Sequence, residues 1–110
     1  RMNVTRKHVT NLNNLPKSFK LHQNYPNPFN PISTIKYDLP KESKVIIRIY
    51  DLLGREIKTL VSEEKQAGYH EAMFDGTNYA SGLYIYRIEV RQAGSSTVSF
   101  VDVKKMVLIK

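Results

Sequence analysis

The sequence predicts an all-β domain, a sandwich of two antiparallel sheets with about seven strands. Three observations carry this. Apolar residues recur at every second position in short runs. Turn residues punctuate those runs at the short, regular spacing of an all-β chain. No stretch repeats apolar residues at three-and-four spacing, so almost no helix is expected. The runs are too close together for parallel strands joined by crossover helices. A small barrel is the alternative architecture.

Proline and glycine partition the chain. Pro16, Pro26, Pro28, Pro31 and Pro40 fall in the first forty residues, and Gly54, Gly68, Gly76, Gly82 and Gly94 all come later. Proline fixes φ and donates no hydrogen bond, so this early region is not expected to be central sheet. The strands follow in order. In ISTIKYDLP, Ile35, Tyr37 and Leu39 share a face, and Pro40 ends the run. In KVIIRIYD, Val45, Ile47 and Ile49 oppose Ile46, Arg48 and Tyr50, and DLLGR turns the chain. Glu56 to Val61 reads as the next strand, and SEEKQAG as a polar connection. In GYHEAMFDG, His70, Ala72 and Phe74 alternate against Tyr69, Glu71 and Met73 before Asp75-Gly76 turns. In SGLYIYRIEV, Tyr84, Tyr86, Ile88 and Val90 face one way, and Ala93-Gly94-Ser95-Ser96 is a hairpin-like turn. Val98–Val103 and Lys105–Ile109 supply the last β material.

The chain has 110 residues, enough for one domain, with 41% hydrophobic and 25% charged residues, the globular range. Arg1 is not an initiator methionine, which points to a piece of a longer polypeptide. The net charge of +7 is unevenly placed: residues 1–37 hold six Lys/Arg and no acid, and the remainder holds eleven Lys/Arg and ten acids. The excess is therefore a basic leader and not a basic face within the folded part, which disfavours a nucleic-acid reader. The absence of cysteine excludes a disulfide framework and thiolate metal sites.

Chemistry is sparse. His8 and His22 fall in the leader, and His70 sits on an apolar alternation, a place for a ring with one nitrogen bonded to backbone. No metalloprotease, calcium-loop or phosphate-loop motif is present, so neither catalytic residues nor cofactors are assigned. Glu63-Glu64 beside Lys65 reads as a solvated turn. Asn3-Val4-Thr5 fits the glycosylation sequon, a pattern that chance supplies often. Of seven tyrosines, Tyr84 and Tyr86 belong to the core with hydroxyls reaching backbone, while Tyr25, Tyr69 and Tyr79 are candidates for exposure. An exposed aromatic pair on one sheet face would make the domain a carbohydrate-binding or adhesive accessory module of a secreted hydrolase.

Five motifs follow one another in order: QNYPNPFNP-x-x-TIKYDLP, IYDLLGREIKTLV, AGYHEAMFDG, ASGLYIYRIEV and a terminal KMVLIK. Together, over residues 21–110, they resemble the C-terminal sorting domain of the type IX secretion system. The resemblance implies an immunoglobulin-like sandwich without catalytic function. It implies a cargo domain covalently attached ahead of a linker at residues 1–20, and a sorting domain at 21–110. The cargo would cross the outer membrane through the type IX machinery and end secreted or on the cell surface. A sortase-like cysteine protease commonly removes such a domain, cutting in a segment like residues 1–20. Lys105, Met106, Val107, Leu108, Ile109 and Lys110 match the segment implicated in export. Gly54, Arg55, Gly68, Asp75, Gly76 and Gly82 match turn positions, and Asn27, Pro28, Phe29, Asn30 and Pro31 form the opening motif, expected to mark the domain boundary. Phe74 stands where many relatives have Trp. The immunoglobulin-like domain of the flagellar hook-capping protein shares part of the motif set, but KMVLIK argues for sorting. The terminal strand is expected to be read by edge pairing or by shape.

Overall fold

The computed structural model describes residues 14–110. Seven strands form: β1 (Lys20–Leu21), β2 (Ile32–Leu39), β3 (Ser43–Tyr50), β4 (Glu56–Lys65), β5 (Gly68–Asp75), β6 (Gly82–Gln92) and β7 (Val98–Leu108). One sheet has the order β1-β2-β5 and the other β4-β3-β6-β7, and every pairing is antiparallel. This two-sheet arrangement is a sandwich, not a closed barrel. Among the described residues there is no α-helix.

The alternation sorts side chains as the sequence predicts. Ile35, Tyr37 and Leu39 of β2 face Val45, Ile47 and Ile49 of β3 and Tyr86, Ile88 and Val90 of β6 across one core, each at most 1% exposed. Burying one such side chain contributes about 1.5–3 kcal/mol. Tyr84 opens β6, and its hydroxyl donates to the Ala80 carbonyl at 2.6 Å. That geometry is the tyrosine corner of immunoglobulin-like sandwiches, which ties the crossing from one sheet to the other.

Four differences from the sequence reading have physical causes. Despite the prolines of the first forty residues, β2 is the middle strand of its sheet, because Pro31 and Pro40 flank it and none falls within it. Ser62–Lys65 is strand, not a polar connection, because it pairs with Ser43–Ile46 of β3. β4 is an edge strand with solvent beside it, so it needs little apolar alternation to be held. The last β material is one continuous strand, since β6 pairs with it from Gly82↔Leu108 to Arg91↔Val98 with a single irregularity. His22 is not leader. Its backbone N–H donates to Lys36 O at 2.9 Å, and its ring nitrogen lies 3.0 Å from Asp38 Oδ1. The folded part reaches further still, since Lys20 pairs with Asp38 and the Phe19 ring stacks on Phe100 at 5.6 Å. His8 and the Asn3-Val4-Thr5 sequon lie outside the described residues.

His70 is half-buried. Its ring stacks on Tyr37 at 5.4 Å, and Nε2 is 2.7 Å from the Gln66 carbonyl, the backbone partner its position suggests. Tyr25 and Tyr69 are exposed, at 80% and 66%, but Tyr79 is not: it packs on Phe74 and Tyr84.

Candidate functional site

The opening motif and the terminal strand are in contact. They are some 80 residues apart in sequence, and Phe29 bridges Leu108 in parallel register. The cause is topological. β7 lies at the edge of its sheet, with only β6 beside it, so its outer row of backbone groups needs partners. The opening segment supplies them. Phe29 N–H donates to Val107 O at 2.9 Å, and Ile109 N–H donates to Phe29 O at 2.9 Å. Asn27 Oδ1 accepts from Val107 N–H at 2.9 Å, and Gln23 Nε2 donates to Lys105 O at 2.7 Å. Farther along, Val103 N–H donates to Asp102 Oδ1 at 2.8 Å. The opening segment thus occupies the edge of the terminal strand from the Lys105 carbonyl to the Ile109 N–H.

The strand's two faces have opposite fates. Met106 and Leu108 are 0% and 1% exposed and belong to the core. Lys105 and Ile109 are exposed and Val107 half-exposed on the outer face, where Val107 lies beside Leu83 and Lys105 beside Ile85. Lys110 is tied down at its backbone by Ser81 Oγ at 3.0 Å and at its ammonium by the Thr77 carbonyl.

Phe29, 1% exposed, meets Phe74 edge-on at 5.9 Å, Phe74 touches Tyr79 at 5.6 Å, and Tyr79 meets Tyr84 at 6.4 Å. This aromatic row joins three motifs. Phe74 therefore fills its place as a core ring. Gly76 completes the junction. Its N–H donates to the Pro31 carbonyl at 2.7 Å, and a Cβ there would lie 2.9 Å from a Leu108 methyl. No larger residue leaves room for Leu108 in place, which is the physical reason for glycine after Asp75. Asp75 Oδ1 accepts from Thr77 N–H at 2.9 Å, and the Thr77 hydroxyl bond, first among its partners, holds the carboxyl below the usual range. Gly54, at φ +82°, gives the DLLGR turn its left-handed step. Arg55 donates its backbone N–H and Nε to Asp51, and the backbone bond leads in lowering that carboxyl's pKa. Gly68 and Gly82 open β5 and β6. Pro28 and Asn30 are exposed beside Phe29.

Sequence reasoning missed a buried polar knot beneath the opening motif. Asn24 is 2% exposed, with Nδ2 donating to Ser33 Oγ at 2.8 Å and to Pro26 O at 3.1 Å. The Tyr86 hydroxyl accepts from Asn24 N–H at 2.8 Å and donates to the His22 carbonyl at 2.7 Å. Burial pushes the Tyr86 hydroxyl up to about 12. The asparagine-rich composition hinted at capping, but nothing local marked which asparagine goes inside. Exposed Tyr25 stands beside a groove of about 370 Å³ lined also by His22, Gln23, Thr34, Lys36 and Glu71. Among the described residues, no group of three or more His, Asp or Glu is placed to hold a metal ion.

Four motif segments thus gather at one end of the sandwich, the β3–β4 turn, the β5–β6 connection, the opening loop and the end of β7, while Gly68, paired with Leu39, lies at the opposite end. The family model described as "Secretion system C-terminal sorting domain" matches residues 23–104. No curated protein matches the chain. Among solved structures, the crystal structure of dimeric latent PorU from Porphyromonas gingivalis is similar, with a TM-score of 0.62 and 24% identity over 79% of this chain. The match spans 9% of that much longer chain, and at this identity it is a likeness of fold. Motif order, sandwich topology and the family match agree, and the chain belongs to the secretion-system C-terminal sorting domains.

Proposed function

We propose that this domain directs a polypeptide attached ahead of it across the outer membrane by the type IX secretion system, and that the machinery reads it folded. The domain itself is non-catalytic in this reading. The attached cargo ends secreted or on the cell surface. A sortase-like cysteine protease removes the domain by cutting ahead of β1.

One observation carries the reading of the terminal segment: the strand is divided by face, and its edge is taken. Met106 and Leu108 are core, while Lys105, Val107 and Ile109 form the outer face. Asn27 and Phe29 hold the backbone groups of Val107 and Ile109. Edge pairing there would require displacing the opening segment. Recognition by shape and side chains of the outer face requires no rearrangement.

The test is a reporter fused ahead of residues 1–110 in a bacterium with a working type IX system. Deleting Lys105–Lys110 is a poor probe, because it removes two core residues. Ile109→Asp leaves the core intact. We expect wild-type export, and an Ile109→Asp fusion held in the periplasm with an unchanged melting temperature. A wild-type reporter retained in the periplasm with the domain folded would refute the reading. Exposed Tyr25 beside its groove supports a second reading, carbohydrate binding. Sugar titration followed by Tyr25 amide shifts tests it, and shifts absent from Tyr25→Ala would favour it.

A further inference from the structure

The turn between β3 and β4 carries the most conspicuous apolar residues that the core does not use. Leu52 and Leu53 are 64% and 77% exposed, and neither belongs to the core cluster. The turn is held firmly. Asp51 N–H donates to Arg55 O at 3.0 Å, and Gly54 N–H to Asp51 O at 3.0 Å. Asp51 Oδ1 accepts from the N–H groups of Leu53 and Arg55 at 2.9 and 3.0 Å, and Oδ2 from Arg55 Nε at 2.8 Å. All five bonds use Asp51, Arg55 or backbone. None uses a leucine side chain, so chain reversal needs no apolar residue at 52 or 53, where turns ordinarily carry polar ones.

The turn also has a place. Tyr50, its last strand residue, lies beside Ile85, and Ile85 beside Lys105, one row across β3, β6 and β7 on the outer face. That row spans about 10 Å. Leu83 and Val107 form the next row. The leucine turn is therefore the far corner of the apolar outer face that ends at Val107 and Ile109.

We propose that Leu52 and Leu53 are a second anchor for the protein receptor that reads the terminal strand. The pair enters an apolar pocket of that receptor. This rests on the export reading above and adds residues to it. A pre-formed turn loses little freedom on docking, so little of what the two leucines gain by burial is offset by ordering. Charge fixes the rest of the partner's chemistry. Asp51–Arg55 and Glu56–Arg48 neutralise each other, at 2.8 and 3.5 Å. Among the described residues, Lys105 has no carboxylate within ion-pair distance. The receptor pocket is accordingly apolar at the leucines and acidic toward Lys105. A lipid surface fits less well, because the leucines are flanked by self-neutralised pairs and not by a basic cluster.

The experiment compares reporter fusions to residues 1–110 carrying the wild-type sequence, Leu52→Ser with Leu53→Ser, and Leu52→Met with Leu53→Met. We expect the serine variant to keep its melting temperature and lose export by about tenfold or more, with methionine restoring it. If the serine pair destabilises the domain, Leu53→Gln alone carries the test. A folded serine or glutamine variant exported like wild type overturns the anchor and leaves the export reading standing. Failure of the wild-type fusion overturns both. Leucine-dependent binding of the purified domain to phosphatidylglycerol vesicles, with no loss of export, assigns the pair to membrane and overturns a protein receptor.

Discussion

Replacing Gly76 by alanine probes the junction on which the site rests. The added Cβ would lie 2.9 and 3.2 Å from the two Leu108 methyls and 3.3 Å from the Pro31 carbonyl oxygen. The carbonyl is fixed by its bond from Gly76 N–H, and Leu108 is 1% exposed, so neither yields easily. Overpacking of this kind costs about 1–3 kcal/mol. For a domain of this size that is about 4–8 °C of melting temperature per kcal/mol. The decisive assay is a double-mutant cycle with Leu108→Val, which withdraws the δ-methyls and by itself costs about 1 kcal/mol for the buried methylene it removes. Thermal and urea unfolding should show Gly76→Ala with Leu108→Val losing less than the sum of the single changes, by about 1 kcal/mol. Additivity within about 0.5 kcal/mol would refute the steric argument. Leu108 would then rotate away from the added methyl at little cost, since the backbone at Gly76 lies outside the left-handed region.

Three further outcomes follow from the polar groups. Tyr86→Phe leaves buried Asn24 N–H without its acceptor, so urea unfolding should show a loss of about 1–3 kcal/mol; a neutral change would mean that water replaces the hydroxyl. Burial lifts the hydroxyls of Tyr37 and Tyr86 from 10 to about 12. Raised values stabilise below the unfolded pKa, so stability should hold to about pH 10 and fall from there to about 12. Absorbance titration should find two late-ionising tyrosines, which Tyr37→Phe with Tyr86→Phe abolishes. Glu89, 9% exposed, takes hydrogen bonds from Arg91 at 2.6 Å and Arg87 at 3.1 Å, which hold its carboxyl below the usual range. A lowered value stabilises above the unfolded pKa, so this contribution should vanish as acid protonates Glu89, and Glu89→Gln should flatten that part of the pH–stability curve.

The strands' faces are legible in local pattern alone. Alternation is a property of each strand alone, so Ile35, Tyr37 and Leu39 or Val45, Ile47 and Ile49 could be assigned inward without knowing their neighbours. It likewise determined that Met106 and Leu108 oppose Val107 and Ile109, and the ordered motifs determined the family. Strand extent was less legible where no apolar pattern is required, as in edge strand β4, whose end at Lys65 is held by backbone pairing with β3. Packing of the two sheets selects which ring of NYPNPFNP is buried, Phe29 and not Tyr25, because both have the same local surroundings of proline and asparagine. It also decided that this motif closes the edge of the terminal strand. Which edge is left without a neighbour depends on the order in which two whole sheets assemble, and no periodicity within one strand encodes that. The exposed leucines at 52 and 53 show the same division: their turn is readable from Asp51 to Arg55, but their place at the far corner of the sheet face that ends on β7 follows from the register of three strands.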